Sequence, residues 1–406
     1  MKIEAPRGTL DVLPAQQPAR DAVIRAAETA AADYGYRRIV TPTFEDTALF
    51  ARTSGSGSDV VQKEMYTFED RGGRSLTLRP EATAPIARAY LEHGLHREAQ
   101  PVKTFLIGPM FRYSAPQKGR YREFWQLNFE AMGSADPAVD AELIQLFTEI
   151  ARRAGVAYTR LELNSIGDRE CRPAYVERLR DFLSARAGDL DDDARKKLDT
   201  SPLRVFDSKS PEVQQALAEA PRIGDSLCAA CAEHFAAVRA FLDAYGVEYE
   251  LAPTLVRGLD YYTRTVFEFV NEGLDAAQST ICAGGRYDYL IEEIGGPPTP
   301  GVGWAAGIER MVLSRPADAA AAGVEIFFAF EEPTRRAEVL PLLARLHASG
   351  RSADTDYGGR SLKGQLTQAE RAGAEIVVIV GAEGATIRRR GEADRVVPLA
   401  ELGALL

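Results

Sequence analysis

The chain has 406 residues, 45% hydrophobic and 27% charged, with 34 Gly and 22 Pro. This excludes collagen-like, disulfide-scaffold and wholly disordered chains, and at about 150 residues per domain it allows two or three domains. The balance of 49 basic against 59 acidic residues, net −10, argues against a sequence-indifferent nucleic-acid coat but not against a partner docking on local basic patches. Aliphatic runs such as Ile376 to Val380 fall far short of the ~20 residues of a membrane span. The start, MKIEAPRGTLD, lacks the apolar core of a secretory signal. Four cysteines (Cys171, Cys228, Cys231, Cys282) are too few for a disulfide framework at this length. A cytoplasmic, soluble, multi-domain protein with no membrane partner is expected. The four histidines, His93, His96, His234 and His347, stand in no catalytic-looking motif, so other groups must carry the chemistry.

In chain order, residues 18–34 predict a helix with Pro18 near its start and Gly35 at its end. RRIVTP predicts a strand cut off at Pro42. A short strand at 76–80 leads to a helix after Pro80. Residues 102–132 predict an antiparallel pair, joined by the loop SAPQKGR, and 137–153 an amphipathic helix beginning at Pro137. Residues 168–250 are mostly helical and acid-rich around DLDDDARKK, which marks them as an insertion. Strands resume at 254–270 and 279–285, and GVGWAAGIERMVL reads as strand passing into helix. Ser314 to Gly323 reads as a linker to a small α/β domain over 324–406, where Pro341 should kink or shorten the first helix.

A two-residue period over Tyr121 to Met132 puts Arg122, Phe124, Gln126, Asn128 and Glu130 on one face. That strand alone reads as the solvated face of a sheet. Arg112, Lys118, Arg120 and Arg122, with no acid between 112 and 122, make the alternative a phosphate-bearing substrate lying on the sheet. TLVRGLDYYTRTVFEF adds Arg257, Asp260, Tyr261, Tyr262 and Arg264. GVGWAAGIERM places small residues where a backbone must approach something closely. It has neither Walker nor Rossmann glycine spacing.

These segments resemble the class II aminoacyl-tRNA synthetases: motif 1 near Pro42, motif 2 over 105–132 and motif 3 over 301–313. RGTLDVLP, LRPEATAPIAR, RYREFWQLNFE, PLRVFDSK, RGLDYY and AGGRYDYL are more narrowly similar to the histidyl-tRNA synthetase family, in order along the whole chain. The resemblance implies an α+β fold. An antiparallel-sheet catalytic domain at 1–320 would carry the helical insertion, followed by an anticodon-binding domain at 324–406. It also implies a homodimer, with L-histidine, ATP with Mg2+ and a histidine-specific tRNA as partners.

The resemblance further implies roles. Glu81 and Thr83 hold the histidine α-amino group, with Ala82 between them also among the histidine-binding residues. Gln126, Glu130, Tyr261, Tyr262 and Tyr287 line the amino-acid pocket, with Glu130 and Tyr262 on the imidazole nitrogens. Arg112 and Arg257 are the catalytic pair at the α-phosphate and also touch the amino acid. Phe124 and Arg310 sandwich adenine, and Arg120 and Arg122 meet the outer phosphates or the acceptor end. Ala82 and Tyr289 depart from the residues usual in the family.

Cys228, Cys231 and His234 have a C-x2-C-x2-H spacing but lack an evident fourth zinc ligand, and the spacing also suits one packed helix face. No metal site is expected. The rival reading is the histidine-sensing regulatory subunit of ATP phosphoribosyltransferase, which typically lacks an anticodon-binding domain and has a degraded RGLDYY element. Here residues 324–406 resemble that domain and the element is intact from Arg257 to Tyr262, which favours the synthetase.

Overall fold

The computed structural model describes residues 3–53, 60–158, 160–274, 279–316, 323–389 and 391–406. Most of the expected linker and Arg390 lie outside them. The chain divides into two compact units, 1–318 and 319–406. No helix among the described residues is long and apolar enough to cross a membrane.

The first unit begins with α1 (Gln17–Asp33), followed by β1 (Arg37–Arg38), β2 (Phe44–Asp46) and α2 (Thr47–Thr53). Next come β3 (Tyr66–Glu69), β4 (Ser75–Leu78) and α3 (Thr83–Glu92), then β5 (Val102–Phe111), β6 (Glu123–Met132) and α4 (Pro137–Ala154). The strand expected at RRIVTP is reduced to the two residues of β1, which run parallel to β5. α4 starts where Asp136 accepts the Ala138 amide at 2.9 Å and ends at Gly155, whose φ of +66° suits a residue without Cβ.

After β7 (Arg160–Ser165), the helices α5 (Arg172–Ser184), α6 (Asp192–Thr200) and α7 (Pro211–Leu217) enclose a core of their own that includes Tyr175, Leu179, Leu198 and Val213. The next helix, α8 (Ala229–Tyr245), puts Val238 and Leu242 into the main core instead. His234, which the spacing groups with the cysteines, faces Asp140 on α4, with 3.2 Å between Nε2 and Oδ1. Asp140 in turn accepts from the fully buried Arg286 at 3.0 and 3.1 Å. The unit closes with β8 (Glu250–Leu251), β9 (Thr263–Val270), β10 (Thr280–Arg286), α9 (Leu290–Glu293), β11 (Gly301–Gly307) and α10 (Ile308–Leu313). Residues 254–262, expected as strand, form a loop.

Eight strands form one sheet in the order β1-β5-β6-β11-β10-β9-β7-β8, antiparallel except for the edge pairs β1–β5 and β7–β8. One face is the main core. There Phe129 stacks on Trp304 at 4.6 Å and Phe147 of α4 meets Phe269 at 4.5 Å. Residues opposite one another in an antiparallel pair share a face. The other face therefore aligns Gln126, Asn128 and Glu130 with Gly307, Ala305 and Gly303, and the last two with Ala283 and Gly285. Two adjacent strands thus carry almost no side chain on that face, and the sheet has a trough.

The second unit is α/β. It comprises β12 (Ile326–Phe330), α11 (Arg336–Ala348), β13 (Ala353–Thr355), α12 (Leu362–Arg371), β14 (Ile376–Val380), β15 (Ala385–Arg389), β16 (Arg395–Val397) and α13 (Leu402–Leu405). Its sheet order is β13-β12-β14-β15-β16, with a separate apolar core that includes Phe328, Leu343 and Val378. α11 continues through Pro341 rather than ending there.

Candidate active site

The trough is the floor of a cavity of about 330 Å³ in the first unit. Its floor is polar and unpaired. Gln126 Oε1 and both side-chain polar atoms of Asn128 are buried with no hydrogen-bond partner. A buried amide without a partner costs about 1–3 kcal/mol, a penalty that a polar ligand can remove. The stripe read as a solvated face is thus a covered one, roofed by Leu259, Tyr261 and Tyr262.

One wall is acidic. Glu81 stands just before α3, where its carboxylate accepts the backbone amides of Thr83 (2.7 Å) and Ala84 (3.0 Å). Burial pushes its carboxyl up, while those amides and the Arg112 charge pull the other way. Thr83 Oγ1 donates to Glu130 at 2.6 Å, and the Tyr287 hydroxyl donates to the other Glu130 oxygen. Burial raises the Glu130 carboxyl to about 8 against the lowering effect of these two hydroxyls. Gly303 lies directly across from Glu130, and a Cβ there would overlap its carboxylate. The glycine of β11 therefore makes room for the carboxylate of β6. Burial also raises the phenols of Tyr261, Tyr262 and Tyr287, so all three are neutral hydroxyls.

The opposite chemistry comes from arginines. Arg112 donates from Nε to the Pro80 carbonyl at 2.8 Å and lies 5.5 Å from the Phe124 ring centre. Arg310 is tied to the Gly119 and Thr280 carbonyls at 3.1 and 2.7 Å. Burial, then the charges of Arg112 and Arg120, pull the Arg310 guanidinium down to about 10. Arg120 also meets Glu64 at 3.0 Å. Arg257 is paired with Glu268, lies 5.8 Å from the Tyr262 ring centre, and leaves Nε buried without a partner. Arginines gathered closely enough that the charges of Arg112 and Arg120 add to burial in lowering Arg310 form a site for a polyanion.

The structure brings Glu81, Thr83, Arg112, Arg120, Phe124, Gln126, Arg257, Tyr261, Tyr262 and Arg310 to the cavity surface. Glu130 and Tyr287 sit one layer behind Thr83, and Ala82 is buried at the start of α3. Arg122 turns away. It precedes β6, so the strand period does not extend to it, and its side chain lies 3.9 Å from the Tyr113 ring centre against Gly8. Sequence reasoning did not assign Asn128 or Glu268. Asn128 shares the two-residue period with Gln126, which is a usable signal. Glu268 joins the site only through the pairing of β9 with β10.

A family model described as histidyl-tRNA synthetase matches residues 8–311. The histidine–tRNA ligase of Thermosynechococcus vestitus is 45% identical over 397 residues, covering 95% of this chain and 90% of the relative. That of Desulforudis audaxviator is 48% identical over 385 residues, covering 94% and 91%. The crystal structure of apo S. aureus histidyl-tRNA synthetase superposes with a TM-score of 0.81 at 34% identity, covering 100% of this chain and 99% of that one. An ATP phosphoribosyltransferase regulatory subunit/histidyl-tRNA synthetase from Bacillus halodurans shares the fold, with a TM-score of 0.70 at 22% identity. With a matching family model over three-quarters of its length and relatives near half identity from end to end, this chain belongs to the histidyl-tRNA synthetase family.

Proposed function

We propose that the chain is a histidine–tRNA ligase. It condenses L-histidine with ATP to histidyl-adenylate and pyrophosphate, then passes the histidyl group to the 3′ end of its tRNA. The observation that carries this reading is the set of crowded guanidiniums around a cavity whose floor is unpaired amide. In the first step a histidine carboxylate oxygen attacks the α-phosphorus in line, the bond to the bridging oxygen breaks, and pyrophosphate leaves. Such a transition state needs positioned cations around the equatorial oxygens more than a general base. Arg112 and Arg257 fill that role, in keeping with a cavity that no histidine lines. Phe124 and Arg310 take the adenine, Arg120 the outer phosphates, and Arg122, outside the cavity, the acceptor end of the tRNA.

Glu81 and Thr83 hold the α-amino group and Gln126 the amino acid. Glu130 and Tyr262 take the two imidazole nitrogens, since each Glu130 oxygen keeps a lone pair beyond the one used by Thr83 or Tyr287. A pocket that bonds both nitrogens rejects apolar isosteres by roughly 10⁴-fold without editing, because its buried polar groups would otherwise go unpaired. ATP brings Mg2+, for which Glu268 and Glu309 on the cavity wall are oxygen donors of the kind it takes. That ion would offset phosphate charge. Residues 324–406 read the anticodon, the active form is a homodimer, and the site of action is the cytoplasm.

The test is ATP–pyrophosphate exchange measured with each amino acid in turn. Exchange with histidine alone is expected. Exchange with none would move the assignment to a histidine-sensing regulatory subunit.

A further inference from the structure

Asp168 and Cys171 stand between β7 and α5, where the chain enters the helical insertion, and Cys228 and Cys231 stand at the start of α8, where it leaves. Far apart in sequence, the two pairs meet in space. One ligand atom from each residue, three Sγ and a carboxylate oxygen, lies within 4.8 Å of every other. We propose that Asp168, Cys171, Cys228 and Cys231 form a structural Zn2+ site that staples the two ends of the insertion.

The donor set is one that zinc takes: thiolates at about 2.3 Å and a carboxylate at about 2.0–2.2 Å, four in all for a structural site. Tetrahedral ligands at those distances lie about 3.5–3.8 Å apart. Cys171 Sγ is already 3.7 Å from Asp168 Oδ1, and the rest need only a small contraction. Both pairs share an x2 spacing, and both approach on helix ends. Cys171 is the residue before the first turn of α5 and Cys228 the residue before the first turn of α8, so two helix N-termini direct partial positive charge at the thiolates. Gly167 has φ +64°, and a Cβ there would crowd Cys171 Sγ, so this glycine gives the sulfur its place.

Ordinary cysteine packing does not describe the cluster. Cys282 shows what that looks like here, being part of the main apolar core, whereas Cys171 and Cys231 are buried outside every apolar cluster among the described residues. Outer partners are present as well. Asp168 Oδ1 accepts the Glu170 amide at 3.0 Å, while Oδ2 meets Arg264 at 3.3 Å, which would leave Oδ1 toward the metal and hold the carboxylate in orientation. Cys228 is partly exposed and gives an ion a way in.

The staple would bear on the amino-acid pocket. Arg172, next to Cys171, donates to the carbonyls of Ile166 (2.9 Å), Gly167 (2.8 Å) and Tyr262 (2.6 Å). The Arg264 amide donates to the Gly167 carbonyl at 2.7 Å. Zinc at 168–171 would thus hold the backbone that presents Tyr262.

The test reads metal rather than activity, so its failure would leave the ligase assignment untouched. Full-length protein purified in reducing buffer without chelator is expected to carry about one zinc per chain by elemental analysis. Replacing zinc with Co2+ should give visible bands of a tetrahedral site and thiolate-to-cobalt charge-transfer absorption. Cys228→Ser with Cys231→Ser should lose the zinc and unfold at lower temperature. Chain that is folded and offered Zn2+ yet retains none, or a Co2+ spectrum without thiolate charge transfer, would overturn the proposal even if the double variant does not fold.

Discussion

Glu130 is held by two hydroxyls, and burial places its titration at about 8 instead of 4.5. Between those values the native chain keeps a proton that the unfolded chain has released, so this group's contribution to stability falls as pH rises through the window and is lowest above it. Glu130→Gln has nothing to titrate. Its melting temperature relative to the parent should therefore rise between about pH 5 and about pH 9, and parallel pH profiles would contradict the burial-driven shift. The same variant replaces one carboxyl oxygen by an amide NH2, which cannot accept from a donating ring nitrogen, and histidine-dependent exchange should fall at least about tenfold, a 1.4 kcal/mol step. Near-normal exchange would remove Glu130 from histidine recognition. Arg257 makes a different kind of contribution. Arg257 lines the cavity with its Nε buried and unpartnered, and its proposed place is beside charge that develops only in the transition state. Arg257→Ala should accordingly lower the adenylation rate much more than it weakens histidine binding. Unchanged kcat with a raised KM would contradict that role.

At the scale of elements, the hairpin of β5 and β6 was legible because a two-residue period says which side chains share a face. It does not say what covers that face. Gln126, Asn128 and Glu130 alternate as a solvated stripe would, and only the bare strands beside them and the loop roof above them turn the stripe into a cavity floor. Long-range pairing was equally invisible, which is why Glu268 and the meeting of Asp168 with Cys231 had no sequence signature. The segment around Pro42 illustrates a second limit, since so little of it forms ladder that alternation has nothing to act on. There Val40 is 79% exposed, and Phe44 and Phe68 of the small sheet β2-β4-β3 are 51% and 43% exposed with their rings 6.3 Å apart. Neighbouring exposed apolar groups suit a surface covered by a second copy. Sedimentation should give twice the 44.3 kDa chain mass. Val40→Asp, a change at a position exposed in the single chain, should shift the protein toward monomer with loss of activity. A parent that is monomeric and active at low concentration would sink the dimer.

For the whole molecule, the two units have separate cores, and the question is how the work divides between them. Residues 324–406 carry 11 basic and 12 acidic residues, a net of −1, against −9 for the rest of the chain's −10. The second unit thus repels RNA less than the first, but its arginines are not simply free charge. Arg388 is held bidentately by Asp394 at 2.8 to 3.2 Å, and Arg360 is bound to Asp356 at 2.6 Å. The Arg388–Asp394 pair is exposed on both sides and contributes about 0–1 kcal/mol, so a phosphate can compete for that guanidinium at small cost, whereas Asp356 is buried and holds Arg360 more firmly. Reading an anticodon also needs hydrogen bonds and stacking to unstacked bases more than it needs net charge. Tyr357, next to Asp356 in the chain and 69% exposed, would offer such a stacking surface if the unit reads the anticodon as proposed. Among the described residues, the lining of the adenylation cavity, by contrast, runs from Glu81 to Arg310, within the first unit. Cutting the chain between the units, just before Gly323, should leave histidine-dependent pyrophosphate exchange measurable while charging of tRNA falls steeply. Full charging by the shortened chain would show that the second unit does not read tRNA. Loss of exchange in a shortened chain that still melts cooperatively would instead show that the second unit helps to form the catalytic site.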